Sequence, residues 1–297
     1  MPVVRQNSLT LHYLERGAGE PLLLIRGLAS SGADWAFQMP ALEPHFHLVV
    51  PDLPGSGHSP APCNGYIIAD LARSLWALLD SLALPSANIV GFSLGGAVGL
   101  EMALQRPESV PRLVLINSLA TYRIDHWRKW CEARVPAAMV RVLGMEAMGR
   151  LLAGRSFPES WQRPMRERAA NVVGAVPAAA YLGMASALEQ WDATDRLSRL
   201  RSRILVMAGE FDFTPVAEKT ALAELLGASL VVVRGSRHGT PFDSITLTNT
   251  SLLAHLTDQP QPTSRYWVRD KQPNAAAWRI ACGIAAEHAA AGPIPLA

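Results

Sequence analysis

Apolar residues along the 297-residue chain fall into short runs that alternate with longer helical stripes. Leu9, Leu11 and Tyr13 alternate with polar neighbours, the period of a half-buried strand. Residues 22–25, 48–50, 88–92 and 113–116 are short apolar runs, as expected of buried strands. Between them Ile67, Leu71, Leu75, Leu78 and Leu82 recur at helical spacing over 66–82, and a second helix is expected to start near Ser93 and stop before Pro107. After a long gap the alternation resumes, with strands expected at 204–207 and 230–233 and helices at 216–226 and 244–256. Strand, helix, strand repetition predicts an α/β fold, a mostly parallel central sheet with helices on both faces.

The gap, 119–195, carries no buried strand but holds Trp127, Trp130, Trp161 and Trp191 together with Met139, Met145, Met148, Met165 and Met184. It reads as a helical insertion between two parts of the chain, 1–118 and 196–258. Aromatic and methionine side chains at helical intervals pack cores; some of these, with Trp127 and Trp130 as candidates, are expected to line a substrate pocket over the sheet. Between 121 and 191 nine Arg and one Lys stand against one Asp and five Glu, a local excess of four positive charges. From 259 the composition shifts to a polar, proline-containing linker, QPQPTSRYWVRDKQP, and then to an alanine-rich stretch over 274–291 whose expected helix could dock through Trp278, Ile280 and Ile284. Residues 259–297 are therefore set apart as a C-terminal appendage.

Composition narrows the function. With 49% hydrophobic residues the chain can bury a large core, and a formal charge of +2 gives no global reason to expect nucleic acid or a membrane surface as partner. Cys63, Cys131 and Cys282 are far apart and show neither metal-ligand spacing nor a disulfide framework, so they read as free thiols. No basic start followed by an apolar run opens the chain, and no uninterrupted apolar stretch reaches about 18 residues. A cytoplasmic location without a transmembrane segment is the expectation.

The chemistry centres on "GFSLGGAVG" at 91–99. Ser93 stands where a dinucleotide fingerprint needs its second glycine, and the Gly-Lys-Ser/Thr ending of a phosphate loop is missing. What remains is G-x-S-x-G between an expected strand and an expected helix, the pattern of a nucleophile elbow, in which Gly91 and Gly95 relieve crowding in a sharp turn. A serine hydroxyl needs a base and an orienting acid. "GEFDFTP" follows the strand at 204–207 and supplies Asp212; "RGSRHG" follows the next strand and supplies His238. All three residues are expected at one edge of the sheet.

On five motifs in order, "RGLASSGADW", "DLPGSGHS", "GFSLGG", "GEFDFTP" and "GSRHG", the chain resembles the α/β-hydrolase superfamily over residues 8 to 258. The resemblance implies a catalytic triad of Ser93, Asp212 and His238, an oxyanion hole made by the backbone N–H groups of Leu28 and Leu94, and a helical cap over 119–195. It implies a supporting role for Asp52 and His58 beside the site, and no metal or organic cofactor. Two departures stand out: Arg26-Gly27 where many relatives have His-Gly, and Arg237 where many have Gly before the histidine. A bidentate guanidinium on a substrate carboxylate or phosphate is the sharper expectation for Arg26 and Arg237; bracing of loops is the other.

The implied reaction is hydrolysis of a small-molecule carboxylic ester or thioester through an acyl-enzyme. Acyl transfer by the same triad, lactone cleavage and C–C bond hydrolysis remain open, as does a non-catalytic ligand receptor on this fold. The basic, Trp- and Met-rich insertion is similar to that of pimeloyl-acyl-carrier-protein methyl ester esterases, which makes an acidic acyl carrier protein a candidate partner.

Overall fold

The computed structural model describes residues 2–6, 9–260 and 266–268. Its strands are β1 (Val3–Gln6), β2 (Leu9–Arg16), β3 (Glu20–Ile25), β4 (Phe46–Pro51), β5 (Asn88–Phe92), β6 (Arg112–Ile116), β7 (Arg203–Gly209), β8 (Ser229–Arg234) and β9 (Tyr266–Val268). They form one sheet in the order β1-β2-β4-β3-β5-β6-β7-β8-β9. The β1–β2 and β2–β4 pairs are antiparallel, and every later pair is parallel. Its helices are α1 (Met39–Leu42), α2 (Ile68–Ser81), α3 (Leu94–Gln105), α4 (Trp127–Ser156), α5 (Arg163–Gly174), α6 (Ala178–Glu189), α7 (Val216–Leu226), α8 (Thr240–Asp243) and α9 (Ile245–Leu256).

The continuous apolar runs are the parallel strands because both of their faces are covered. Leu23, Ile25, Ile89 and Leu113 point into one core with α2, α3 and α7. Leu22, Leu24, Val90 and Val114 point into the other with α1 and α9. α3 is buried from Leu94 to Leu104, and its Gly95, Gly96, Ala97 and Gly99 let the helix lie close against the sheet. No single helix among the described residues is long and apolar enough to cross a membrane.

Between β6 and β7 the chain leaves the sheet for α4, α5 and α6, and Thr121 and Asp192 pair as an antiparallel bridge where it leaves and returns. α4 is two helices that meet at Gly144, whose φ of 79° and ψ of 177° only glycine adopts readily. Val140, Met145, Met148 and Tyr181 form a small core of their own, which meets the rest of the protein at Ala29. The returning segment is anchored on α3 by Glu101, a buried carboxylate. It accepts from Trp191 Nε1 at 2.8 Å and from Arg196 at 3.1 and 2.9 Å. Trp191 thus serves as an anchor rather than as pocket lining.

Two strands escape the periodicity. β1 is only four residues long and pairs with β2 as an edge hairpin; β9 lies inside the stretch expected to be a polar linker and pairs with β8. The alanine-rich stretch with Trp278, Ile280 and Ile284, and Cys282, lie outside the described residues. Cys63 and Cys131 are free thiols.

Removing the acceptor of a buried N–H donor leaves that donor unsatisfied. Glu101→Ala leaves the Trp191 N–H unpaired and Arg196, 36% exposed, to solvent, and is therefore expected to lower stability by about 1–2 kcal/mol in urea unfolding. Glu101→Gln should lose less, because it still offers Trp191 an acceptor.

Candidate active site

In a parallel sheet, functional loops gather at the carboxyl ends of the strands, where the strand order reverses. Here that reversal lies between β3 and β5. The loops after β3, β5, β6, β7 and β8 carry Arg26 to Leu28, Ser93, Asn117, Asp212 and His238 respectively.

Ser93 sits between β5 and α3 with φ 54° and ψ −118°, a strained backbone for a residue with a side chain. The turn closes because side chains are missing around it. A Cβ on Gly91 would overlap the Gly95 carbonyl oxygen, and one on Gly95 would overlap the carbonyl oxygen of Ile25 in the neighbouring strand. Ser93 Oγ then lies 3.0 Å from His238 Nε2, and His238 Nδ1 lies 2.7 Å from Asp212 Oδ1. The structure brings together the three residues that the sequence placed at one edge. The imidazole packs against Phe213 and Phe92, with ring centroids 4.1 and 5.1 Å away.

The other oxygen of Asp212 is occupied by groups that sequence reasoning missed. Thr214 Oγ1 donates to Oδ2 at 2.6 Å, and the Lys219 ammonium donates to the same oxygen. Lys219 is completely buried and also donates to the Thr214 carbonyl at 2.8 Å. Burial by itself would raise the carboxyl pKa of Asp212, but the charges and hydrogen bonds of His238 and Lys219 outweigh it and hold the group well below the usual carboxylate range. Burial lowers the Lys219 ammonium, with Asp212 opposing. The signal in the sequence was a lysine in register with Val216, Ala223 and Leu226 on the inward face of α7.

Asn117 was also missed. It follows β6 directly with φ 49°, accepts from Gly209 N–H at 2.8 Å, and donates to the His238 carbonyl at 2.8 Å and to Thr240 Oγ1 at 2.9 Å. One side chain thus ties β7 to the loop that presents His238. Asp52 is fully buried and accepts from the Gly32 and His58 N–H groups at 2.8 and 2.9 Å, which braces the loop after β3.

Ser93 and His238 open on a cavity of about 440 Å³ between the sheet edge and the inserted helices. Its apolar walls include Leu28, Phe37, Phe157, Met165, Tyr181 and Phe242. Two ion pairs join inserted helices to the core across it: Lys129 of α4 with Glu218 of α7 at 3.3 Å, and Arg168 of α5 with Asp34 at 3.6 Å.

Of the four residues expected to bind substrate, only Arg237 lines this cavity, and its guanidinium lies 5.8 Å from the Phe211 ring centroid. Arg26 is buried behind the wall, where it donates to the Gly27 carbonyl. Trp127 and Trp130 point outward, 75% and 53% exposed, because the first turns of α4 present that side to solvent. Leu28 lines the cavity with Ser93, and Leu94 follows Ser93 as the first residue of α3. In turns, loops and caps among the described residues, neither of their N–H groups has a backbone acceptor. Also among the described residues, no cluster of three His, Cys, Asp or Glu side chains is arranged to hold a metal ion.

The Asp212–Lys219 pair makes a double-mutant cycle informative. Lys219→Met and Asp212→Asn are each expected to cost about 3 kcal/mol in chemical unfolding, and the double variant less than their sum. The stabilisation from ionised Asp212 is complete above the unfolded carboxylate range near pH 4 and is lost as pH falls below it. The gap between wild type and Asp212→Asn should therefore narrow in acid.

Comparison with known proteins places this arrangement in a family. The model of the alpha/beta hydrolase fold matches residues 20–245. A protein of Variovorax paradoxus (strain S110) that bears the name "Putative carbamate hydrolase RutD" is 33% identical over 264 residues, 84% of this chain and 96% of its own. Among solved structures, a hydrolase from Pseudomonas aeruginosa PA01 superposes with a TM-score of 0.77 at 28% identity, covering 86% of this chain and 97% of its own. The enol-lactonase from Burkholderia xenovorans LB400 does so with a TM-score of 0.77 at 25% identity, covering 86% of this chain and all of its own. With the family model spanning most of the sheet and the loops at its edge, the chain belongs to the alpha/beta hydrolase fold family.

Proposed function

We propose that the protein is a serine hydrolase that cleaves a carboxylic ester or thioester through an acyl-enzyme on Ser93. The observation that carries this reading is the run of contacts from Ser93 Oγ through His238 to Asp212 at the wall of an apolar cavity. His238 Nε2 takes the hydroxyl proton as Oγ attacks the substrate carbonyl, and Asp212 stabilises the imidazolium that forms. The negative charge passes to the carbonyl oxygen, where the Leu28 and Leu94 N–H groups are its donors, each worth about 3 kcal/mol. As the oxyanion collapses, the bond to the leaving group breaks and His238 gives its proton to the departing oxygen or sulfur. His238 then removes a proton from water, the hydroxide attacks the acyl-enzyme, and the acid leaves as Ser93 recovers its proton.

The enol-lactonase likeness supports an ester-type substrate, since a lactone is a cyclic ester. The relative named for carbamate hydrolysis favours a second reading in which the same machinery forms a carbamoyl-enzyme. A cavity of about 440 Å³ with apolar walls fits an acyl or carbamate substrate carrying a sizeable organic group better than a free carbamate. The acidic carrier protein is supported by the local charge excess alone, and part of that excess is met by carboxylates of the core: Lys129 pairs with Glu218 and Arg168 with Asp34.

The test is a panel of p-nitrophenyl esters, lactones, acyl thioesters and aryl carbamates of graded size, with products analysed with and without an alcohol acceptor. Release of free acid from esters or thioesters, at least about 10⁴-fold slower in Ser93→Ala, is expected. Transfer to the acceptor in preference to water would make the protein an acyltransferase. Turnover of carbamates alone would establish the second reading.

A further inference from the structure

Arg26 is one of the largest fully buried side chains, 1% exposed, and no carboxylate is bonded to it among the described residues. One guanidinium nitrogen donates to the Gly27 carbonyl, a second approaches Met184 Sδ at 3.6 Å, and Nε has no partner. Burial lowers its pKa to about 10, with Asp52 and Asp34 opposing from a distance, so it is a cation at neutral pH. A buried cation without a bonded counter-ion is costly. Its position shows what offsets that cost.

The carbonyl of Gly27 and the N–H of Leu28 belong to one planar trans peptide and point in opposite directions. A cation bound at the oxygen end fixes the plane of that peptide and aims its N–H away from the guanidinium. It also draws electron density toward the oxygen, which makes the N–H a stronger donor. Ser93 is close by: a Cβ on Gly27 would stand 3.4 Å from Ser93 Cβ and 3.0 Å from the Phe92 ring, so this peptide approaches Ser93 over a residue with no side chain.

We propose that Arg26 is a positioning residue, which orients and polarises the Gly27–Leu28 peptide so that the Leu28 N–H is a preorganised donor to the oxyanion formed at Ser93. It acts through the backbone and touches no substrate. The inference rests on Ser93 being the nucleophile. It also gives the unpaired charge a use, because the buried cation is complemented when negative charge develops at the carbonyl oxygen. A lysine keeps the charge without the planar fork, and a glutamine keeps an N–H donor without the charge.

Arg26→Met, Arg26→Gln and Arg26→Lys are compared with wild type for kcat and KM on the best p-nitrophenyl ester, and for inhibition by an arylboronic acid, which forms a tetrahedral adduct on an active serine. Circular dichroism and Tm establish that each variant is folded. The expected result is a loss in kcat of about 10- to 100-fold in Arg26→Met with KM changed less than about threefold, and a parallel loss in boronate affinity. Arg26→Lys and Arg26→Gln should fall between Arg26→Met and wild type. A loss confined to KM, with boronate binding intact, would overturn the proposal by making Arg26 a substrate contact; so would a folded Arg26→Met with unchanged kcat. Should Arg26→Met not fold, kcat values for the other two equal to wild type overturn it. Ser93→Ala is run alongside: full activity there overturns the nucleophile assignment and this inference together, whereas an inactive Ser93→Ala beside an unimpaired Arg26 series overturns this inference alone.

Discussion

The site depends on a backbone turn that can close only where three atoms are absent. β5 must end and α3 begin within one residue, and the sheet, the helix and the oxygen of Ile25 all crowd that point. Gly91, Gly95 and Gly96 leave out the Cβ atoms that would collide with one another's backbone and with Ser118. Ser93, held at positive φ, is left standing clear of the sheet edge. Strain of this kind costs of the order of 1–3 kcal/mol and survives only where packing over-determines it. Here α3, buried along its length, supplies that packing.

Around this turn the charges are arranged in two groups. On one side Asp212 sits between an imidazole and a buried ammonium, so that one oxygen faces His238 and the other is held by Thr214 and Lys219. On the other side Arg26 sits behind the Gly27 carbonyl. A charge already in place, in a region with little water, interacts strongly with charge that develops during a reaction and needs no reorganisation when it does. The inserted helices complete the enclosure, and the Lys129–Glu218 and Arg168–Asp34 pairs join them to the core across the cavity.

Much of the fold was legible because burial on both faces of a parallel strand leaves an unambiguous mark. The expected strand at 88–92 and helix at 216–226 have the bounds found in the structure. β1 and β9 left no such mark: each lies at an edge, they span only four and three residues, too few for a period to show, and β9 stands among the polar residues and prolines of 259–273. Ser93, His238 and Asp212 were legible from loop position, because successive parallel strands deliver their loops to one edge. Lys219 and Asn117 were not, because each acts on a neighbouring loop that only the folded sheet brings near. Helical spacing alone could not tell which side of α4 meets the cavity; the side that carries Trp127 and Trp130 faces outward. Arg26 was conspicuous as a departure, but its direction is a property of packing.

The central claim is that this arrangement makes Ser93 a nucleophile. It is tested most directly by treating the folded protein with a fluorophosphonate and locating the adduct by peptide mass spectrometry. The account predicts one stoichiometric phosphonyl adduct on Ser93, absent from Ser93→Ala and much slower to form in Asp212→Asn. A folded protein that forms no adduct, or one that Ser93→Ala still forms in full, would contradict it.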